Sequence, residues 1–154
     1  MAEIFEAKTR DDLRSVRDLF KQYADFLGFD LGFQDFAAEL ANLPCDYAAP
    51  DGCILPAQQG EKIVGCVALR RWDHSICEMK RLYVLPKMRG KGIGRKLAEA
   101  IILRAREMGY KRMRLDTLAS MGAANRLYPS LGFRPIAPYR YNPMDGAQFY
   151  QLSL

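Results

Sequence analysis

Between Leu13 and Leu27 the apolar residues Leu13, Val16, Leu19, Phe20, Tyr23, Phe26 and Leu27 recur at steps of one helical face. Thr9 stands ahead of them as an N-cap with Asp12 three residues on, and Gly28 follows as a stop. The pattern predicts an amphipathic helix between Thr9 and Gly28, after a short strand at Ile4-Phe5-Glu6-Ala7. A second, shorter helical pattern runs over 34–43 through Phe36, Ala37, Leu40 and Leu43, and Pro44 to Gly52 is a loop with two prolines. Cys53 to Gln58 and Lys62 to Arg70 then read as strands joined across Gln59-Gly60-Glu61. Ile63 to Leu69 is apolar on both faces, as in a central strand covered on both sides. Ile76 to Leu85 follows as a further strand. Ile93, Leu97, Ala100, Ile101, Ala105 and Met108 return to helical spacing and stop at Gly109. Met113, Leu115 and Thr117 alternate with Arg112, Arg114 and Asp116 as a strand. A helix from about Met121 to Leu131 closes on Gly132, and Phe133 to Ala137 and Ala147 to Leu154 form a last pair of strands.

The strand-helix-strand unit of residues 76–117 requires a right-handed crossover and parallel pairing, whereas the earlier hairpin is antiparallel. The expected fold is therefore α/β, with a mixed central sheet of about six to seven strands and helices on both faces. With no repeat, low-complexity tract or linker, the 154 residues read as one domain. No apolar run approaches the ~20 residues of a membrane span. The first residues, Met-Ala-Glu-Ile-Phe-Glu, lack signal-peptide character, which points to the cytoplasm. Cys45, Cys53, Cys66 and Cys77 form no C-x-x-C pair and read as buried thiols, and one histidine, His74, reads as a loop residue. No metal site is expected.

Charge is uneven. Residues 80–114 carry twelve Lys and Arg against Glu99 and Glu107, a net +10 that leaves −5 for the rest of a chain whose total is +5. Such a basic half suits a polyanion. Within it lies Arg89-Gly90-Lys91-Gly92-Ile93-Gly94, between the strand ended by Pro86 and the helix that begins at about Gly92. Amides uncovered by glycine at a helix N-terminus attract anions, and Arg89, Lys91, Arg95 and Lys96 add fixed positive charge. The turn reads as a pyrophosphate cradle. It fits neither the dinucleotide G-x-G-x-x-G nor the P-loop pattern.

This turn resembles motif A of the GCN5-related N-acetyltransferases (GNAT), R/Q-x-x-G-x-G/A, following the family-like strand Glu78-Met79-Lys80-Arg81-Leu82-Tyr83-Val84. Ala124-Asn125-Arg126-Leu127-Tyr128-Pro129-Ser130-Leu131-Gly132-Phe133 is similar to motif B, A-x-x-L-Y-x-x-x-G-F. The resemblance implies an N-acetyltransferase that moves the acetyl group of acetyl-coenzyme A (acetyl-CoA) to a small-molecule or peptide amine. It leaves a homodimer open. Arg89, Gly90, Lys91, Gly92, Ile93, Gly94 and Arg95 would hold the cofactor. Leu82, Tyr83 and Val84 would run along its pantetheine arm, on a strand that splays after a bulge. The same three residues would also build an ordinary strand.

Tyr128 occupies the family's general-acid position, where a phenol can protonate the departing thiolate. A helix-face anchor beside Leu127 and Leu131 is the alternative. Two departures bear on it: Met121 replaces a cofactor-binding Asn of many members, and Pro129 follows the tyrosine directly. Glu78 stands where several members place a general base, and apolar Cys77 and Met79 beside it would raise its pKa toward neutrality by desolvation. The alternative is an ion pair with a nearby Lys or Arg. Two rival functions stand beside transfer. A nucleic-acid module would use the basic region, which holds only Tyr83 and Tyr110 for stacking. A degenerate member would bind coenzyme A without transferring anything.

Overall fold

The computed structural model describes residues 2–28, 31–32 and 35–154. Along the chain run β1 (Glu3–Ile4), α1 (Arg10–Leu27), α2 (Phe36–Ala41), β2 (Cys53–Gln59), β3 (Lys62–Arg71), β4 (Ile76–Val84), α3 (Ile93–Glu107), β5 (Arg112–Leu118), α4 (Gly122–Ser130), β6 (Arg134–Pro135) and β7 (Ala147–Ser153). The strands form one sheet in the order β1-β2-β3-β4-β5-β7-β6. Every neighbouring pair is antiparallel except β4 and β5, which the α3 crossover makes parallel. This is the mixed sheet the sequence predicts.

Local chemistry sets the ends of α1. Thr9 Oγ1 accepts from the Asp12 amide and Asp12 Oδ2 accepts from the Thr9 amide, both at 3.0 Å. Gly28, at φ +71°, turns the chain left-handed and donates its N–H to the last carbonyls. The helix then buries Val16, Leu19 and Phe20 against Ile54, Cys66 and Ala68 of the sheet. On the opposite face α3 buries Leu97 and Ile101 completely, each contributing about 2 kcal/mol of hydrophobic stabilisation. Gly65 of β3 makes that approach possible, because a Cβ there would stand 3.1 Å from Leu97 Cδ1 and 3.0 Å from the Tyr83 carbonyl oxygen.

The α1 face changes character along the sheet. Where β4, β5 and β7 meet it carries Glu78, Arg114, Asp116 and Gln151, and the connection between β6 and β7 lies over these groups. Tyr139, Arg140 and Asn142 of that connection bond to Glu78 and Asp116, and the Tyr139 ring meets Phe149 edge-on at 5.5 Å. A polar covering suits a polar surface, since buried charges need partners.

Three boundaries differ from the sequence reading, one being the strand expected over Phe133 to Ala137, of which β6 keeps Arg134–Pro135. The first strand is shorter in ladder terms, although Phe5 and Ala7 still donate to Pro56 and Ile54 of β2. The second helix keeps only Phe36–Ala41, and the proposed start at Gln34 lies outside the described residues. Pro129 sits inside α4 without expelling Tyr128; it removes one N–H from the ladder only one residue before the helix ends. His74 is exposed in the turn between β3 and β4, as predicted. Of the cysteines, Cys53, Cys66 and Cys77 are buried thiols and Cys45 is partly exposed. Among the described residues, no helix is long and apolar enough to cross a membrane.

Candidate active site

β4 and β5 hold register at Ile76/Arg112, Cys77/Met113 and Glu78/Arg114, and there the ladder ends. Both strands continue, to Val84 and to Leu118. On its other side β4 stays paired with β3, but three residues of β4 (Arg81 to Tyr83, counted from the Ala68/Lys80 pair to the Cys66/Tyr83 pair) answer two of β3. Arg81 within this stretch takes φ +60°. One extra residue with a left-handed backbone is a β-bulge, and it turns β4 away from β5. A two-point ion pair holds Arg81 there: its Nε and Nη2 each lie 2.9 Å from Glu39, with the Phe36 ring 5.1 Å away. Beyond Glu78/Arg114 the parted strands leave a cleft between them.

One side of the cleft is a groove of about 460 Å³. Leu82, Tyr83 and Val84 line it from β4, Arg89, Gly90, Gly92, Ile93, Gly94 and Arg95 from the turn, and Met121 to Ala124 from the start of α4. Nine of the ten predicted cofactor-binding residues therefore share one wall; Lys91 is exposed and outside the lining. Gly90 and Gly92 have φ of +79° and +80°, a backbone that glycine adopts without strain. Helix α3 starts at Gly92 with no side-chain cap, so its first amides remain available to an anion. The Arg89 guanidinium rests 4.4 Å from the Phe26 ring centroid and donates from Nε to the Val84 carbonyl at 3.0 Å. Phe26, a half-exposed residue that the helical pattern assigns to the core face, is thus part of the groove.

The other side is a smaller cavity of about 50 Å³ that shares Leu82 and Met121 with the groove. Its walls include Tyr23, Lys80, Asp116, Tyr128 and Asn142. The Tyr128 ring packs against Phe133 and Tyr150, with centroids 5.6 and 5.8 Å away. It is an anchor that also lines the cavity. Burial, reinforced by Tyr23, Asp116 and Tyr150, pushes its hydroxyl above the usual phenol range, so it keeps its proton at neutral pH. Asn125 Nδ2 ties α4 to β5 by donating to the Leu118 carbonyl at 2.7 Å. Lys80 Nζ lies 3.9 Å from Asp116 Oδ1, and burial lowers the Lys80 pKa to about 8 against the pull of Glu78 and Asp116.

Glu78 differs from its predicted state. Its side chain is fully buried, yet it accepts from Arg70 Nε at 2.8 Å, from Tyr139 Oη at 2.6 Å and from Arg140 Nη1 at 2.9 and 3.1 Å. Burial alone would raise its pKa; Lys80, Arg70, Arg140 and the Tyr139 hydroxyl outweigh it and hold the carboxyl at about 2. The expected shift toward neutrality is overturned, because the apolar neighbours in sequence point to the other face of the strand while Glu78 faces cations. Asp116 and Asn142 were not singled out by the sequence reading. Their one signal is that Asp116 is the single acid on the outward face of β5, after Arg112 and Arg114.

A strand pair parted by a bulge, with a glycine turn on one side and a buried tyrosine on the other, defines a coenzyme A-type acyltransferase cleft. Residues 13–133 match the acetyltransferase (GNAT) family, and the chain belongs to that family of N-acetyltransferases. It is 38% identical over 153 residues to an N-acetyltransferase of Schizosaccharomyces pombe, covering 98% of this chain and 94% of that protein. An acetyltransferase structure from Streptococcus agalactiae superposes with a TM-score of 0.82 at 26% identity, over 99% of this chain and 98% of the other. An acetyltransferase from Salmonella typhimurium, solved with its cofactor acetyl-CoA, shares the fold with a TM-score of 0.74 at 20% identity, over 99% and 94%.

Proposed function

We propose that the groove holds acetyl-CoA and the smaller cavity admits the acceptor amine, which attacks the thioester directly at the neck between them. The observation that carries this reading is the parting of β4 and β5 beyond Glu78/Arg114, with both cavities meeting at Leu82 and Met121. The turn from Arg89 to Arg95 receives the pyrophosphate through backbone amides and fixed charge, with Lys91 contributing at long range from the rim. The edge of β4 at Leu82, Tyr83 and Val84 bonds the peptide-like pantetheine arm, and a backbone amide there meets the developing oxyanion, already oriented before charge appears.

Attack forms the N–C bond and a tetrahedral intermediate; its collapse breaks the C–S bond. The ammonium gives one proton to solvent water before attack, the attached nitrogen gives up a second as the intermediate collapses to the amide, and the thiolate takes a proton as it departs. Tyr128 is the proposed donor, being protonated at neutral pH and beside the cavity. Asp116 is a carboxylate in the cavity wall, suited to hold a cationic acceptor. Glu78 belongs to the same proposal as a fixed charge behind the wall. Four free cysteines suit a reducing compartment, in keeping with a cytoplasmic enzyme.

The test is thiol release from acetyl-CoA against a panel of amino acids, polyamines and lysine peptides, with mass detection of N-acetylated product. Product with any amine supports transfer; acetyl-CoA binding without product from the whole panel contradicts it in favour of a coenzyme A-binding protein.

A further inference from the structure

The connection between β6 and β7 has no helix or strand of its own across residues 136–146, yet it supplies Asn142 and Met144 to the wall of the smaller cavity. Something other than a ladder must keep these residues in place, since an unpaired loop of this length has many competing conformations. Two clasps do so. Asn142 Nδ2 donates to Asp116 Oδ2 at 3.0 Å on β5, and Tyr139 and Arg140 bond to Glu78 on β4. The Glu78 clasp is the more elaborate. Arg70 from β3 shares Oε1 of the carboxylate with Arg140, Lys80 stands two residues along the strand, and Arg114 of β5 lies 5.3 Å from the Tyr139 ring centroid. Trp72 meets the Tyr139 ring edge-on at 5.0 Å, with Arg140 5.8 Å from its own ring centroid.

We infer that Glu78 is a positioning residue, whose fixed charge holds residues 139–144 as the outer wall of the acceptor cavity, rather than the group that takes the acceptor's proton. The inference rests on the acceptor reading of that cavity. Three observations on geometry support it. Glu78 lies outside the cavity lining while its neighbour Lys80 lies within it. Both carboxylate oxygens are engaged, one by Arg70 and Arg140 and the other by Tyr139 and Arg140, so accepting a proton would break contacts already made. The residues it holds, in turn, place Asn142 against Asp116. The charge matters as well as the shape: a neutral amide would take the paired carboxylate from Arg140 and leave Arg70 only the exposed Asp46 at 3.6 Å, and breaking a buried pair is costly.

Trp72, the only tryptophan, makes the docking of this connection directly observable. Wild type, Glu78→Gln and Arg140→Ala would be compared by acrylamide quenching of Trp72 and by amide hydrogen exchange, with acetyl-CoA affinity measured calorimetrically on the same samples. The inference requires quenching to rise in both variants and amides of 139–146 to lose roughly tenfold protection, while α1 and α3 stay protected and acetyl-CoA affinity is unchanged. Arg140→Ala keeps the test open if Glu78→Gln does not fold. Undisturbed exchange across 139–146 in the folded variants would overturn the inference, and so would a loss spread evenly over the sheet. A pH titration of Trp72 emission separates the two roles for Glu78. A midpoint between about pH 5 and 8 that vanishes in Glu78→Gln would restore a proton-accepting carboxylate; a profile that Glu78→Gln leaves unchanged keeps the inference standing. Wild-type protein that fails to bind acetyl-CoA would remove the acceptor reading instead, with the clasp still measured by exchange.

Discussion

Glu78 and Arg114 are the last pair at which β4 and β5 stand in register, and they divide a structural half of the sheet from a functional one. Before them the two strands bond to each other in the ordinary parallel manner. Beyond them the bulge at Arg81 directs β4 toward the glycine turn, β5 continues toward α4, and a cleft opens between the two strands. The carboxylate of the first residue holds one wall of the cleft from behind.

Tyr128→Phe keeps the ring that packs on Phe133 and Tyr150 and removes the proton. With an acceptor in hand, kcat is expected to fall by about 10²–10⁴, with acetyl-CoA affinity and melting temperature little changed. Steady-state kinetics beside a thermal melt check it. Unchanged kcat would return the residue to an anchoring role alone.

Glu78 also sets an acid-stability expectation. Its folded pKa of about 2 lies below the ordinary value of 4.5, so its contribution is fully present above that value and is lost as pH falls toward 2. A shift of this size corresponds to stabilisation on the order of 3 kcal/mol near neutral pH. Glu78→Gln should therefore melt well below wild type at neutral pH, and the gap should close between about pH 4.5 and 2. A gap that stays constant on acidification would contradict the ion-pair account of this residue.

Thr9→Ala probes the fold at a distance from the cleft. It removes the acceptor of the Asp12 amide and should cost about 1 kcal/mol of stability, measured by chemical denaturation. Activity at a temperature where both proteins are folded should not change. A cost near zero would mean that Asp12 alone secures the start of α1.

Much of this arrangement is legible in the sequence because its causes are local. Apolar spacing gives α1 and α3, glycine gives their ends, and the alternation in 112–118 gives β5. The glycine turn announces the groove, since amides at a helix start follow from backbone geometry alone. What local pattern does not carry is the partner across the fold. Cys77 and Met79 suggested an apolar setting for Glu78, but in a strand neighbours point to opposite faces, and the residues that surround it come from β3 and from the β6–β7 connection. Phe26 follows the core spacing of α1 yet ends beside Arg89, because the last turn of the helix brings its ring to Tyr83 in the lining of the groove. Asn142 and Asp116 have no motif; a tertiary contact alone makes them part of the cavity.

The claim that organises the rest is that the glycine turn and the start of α3 hold the phosphates of acetyl-CoA, and Gly94→Asp tests it most directly. Gly94 lies in the first turn of α3, and a Cβ there meets no atom nearer than Val84 Cγ2 at 3.9 Å, so the fold accommodates the change. An aspartate early in a helix is favourable to the helix itself. Toward a pyrophosphate it is repulsive. Calorimetric titration with acetyl-CoA should show affinity reduced by roughly tenfold or more relative to wild type, at an undiminished melting temperature. Equal affinities for the two proteins would contradict the account.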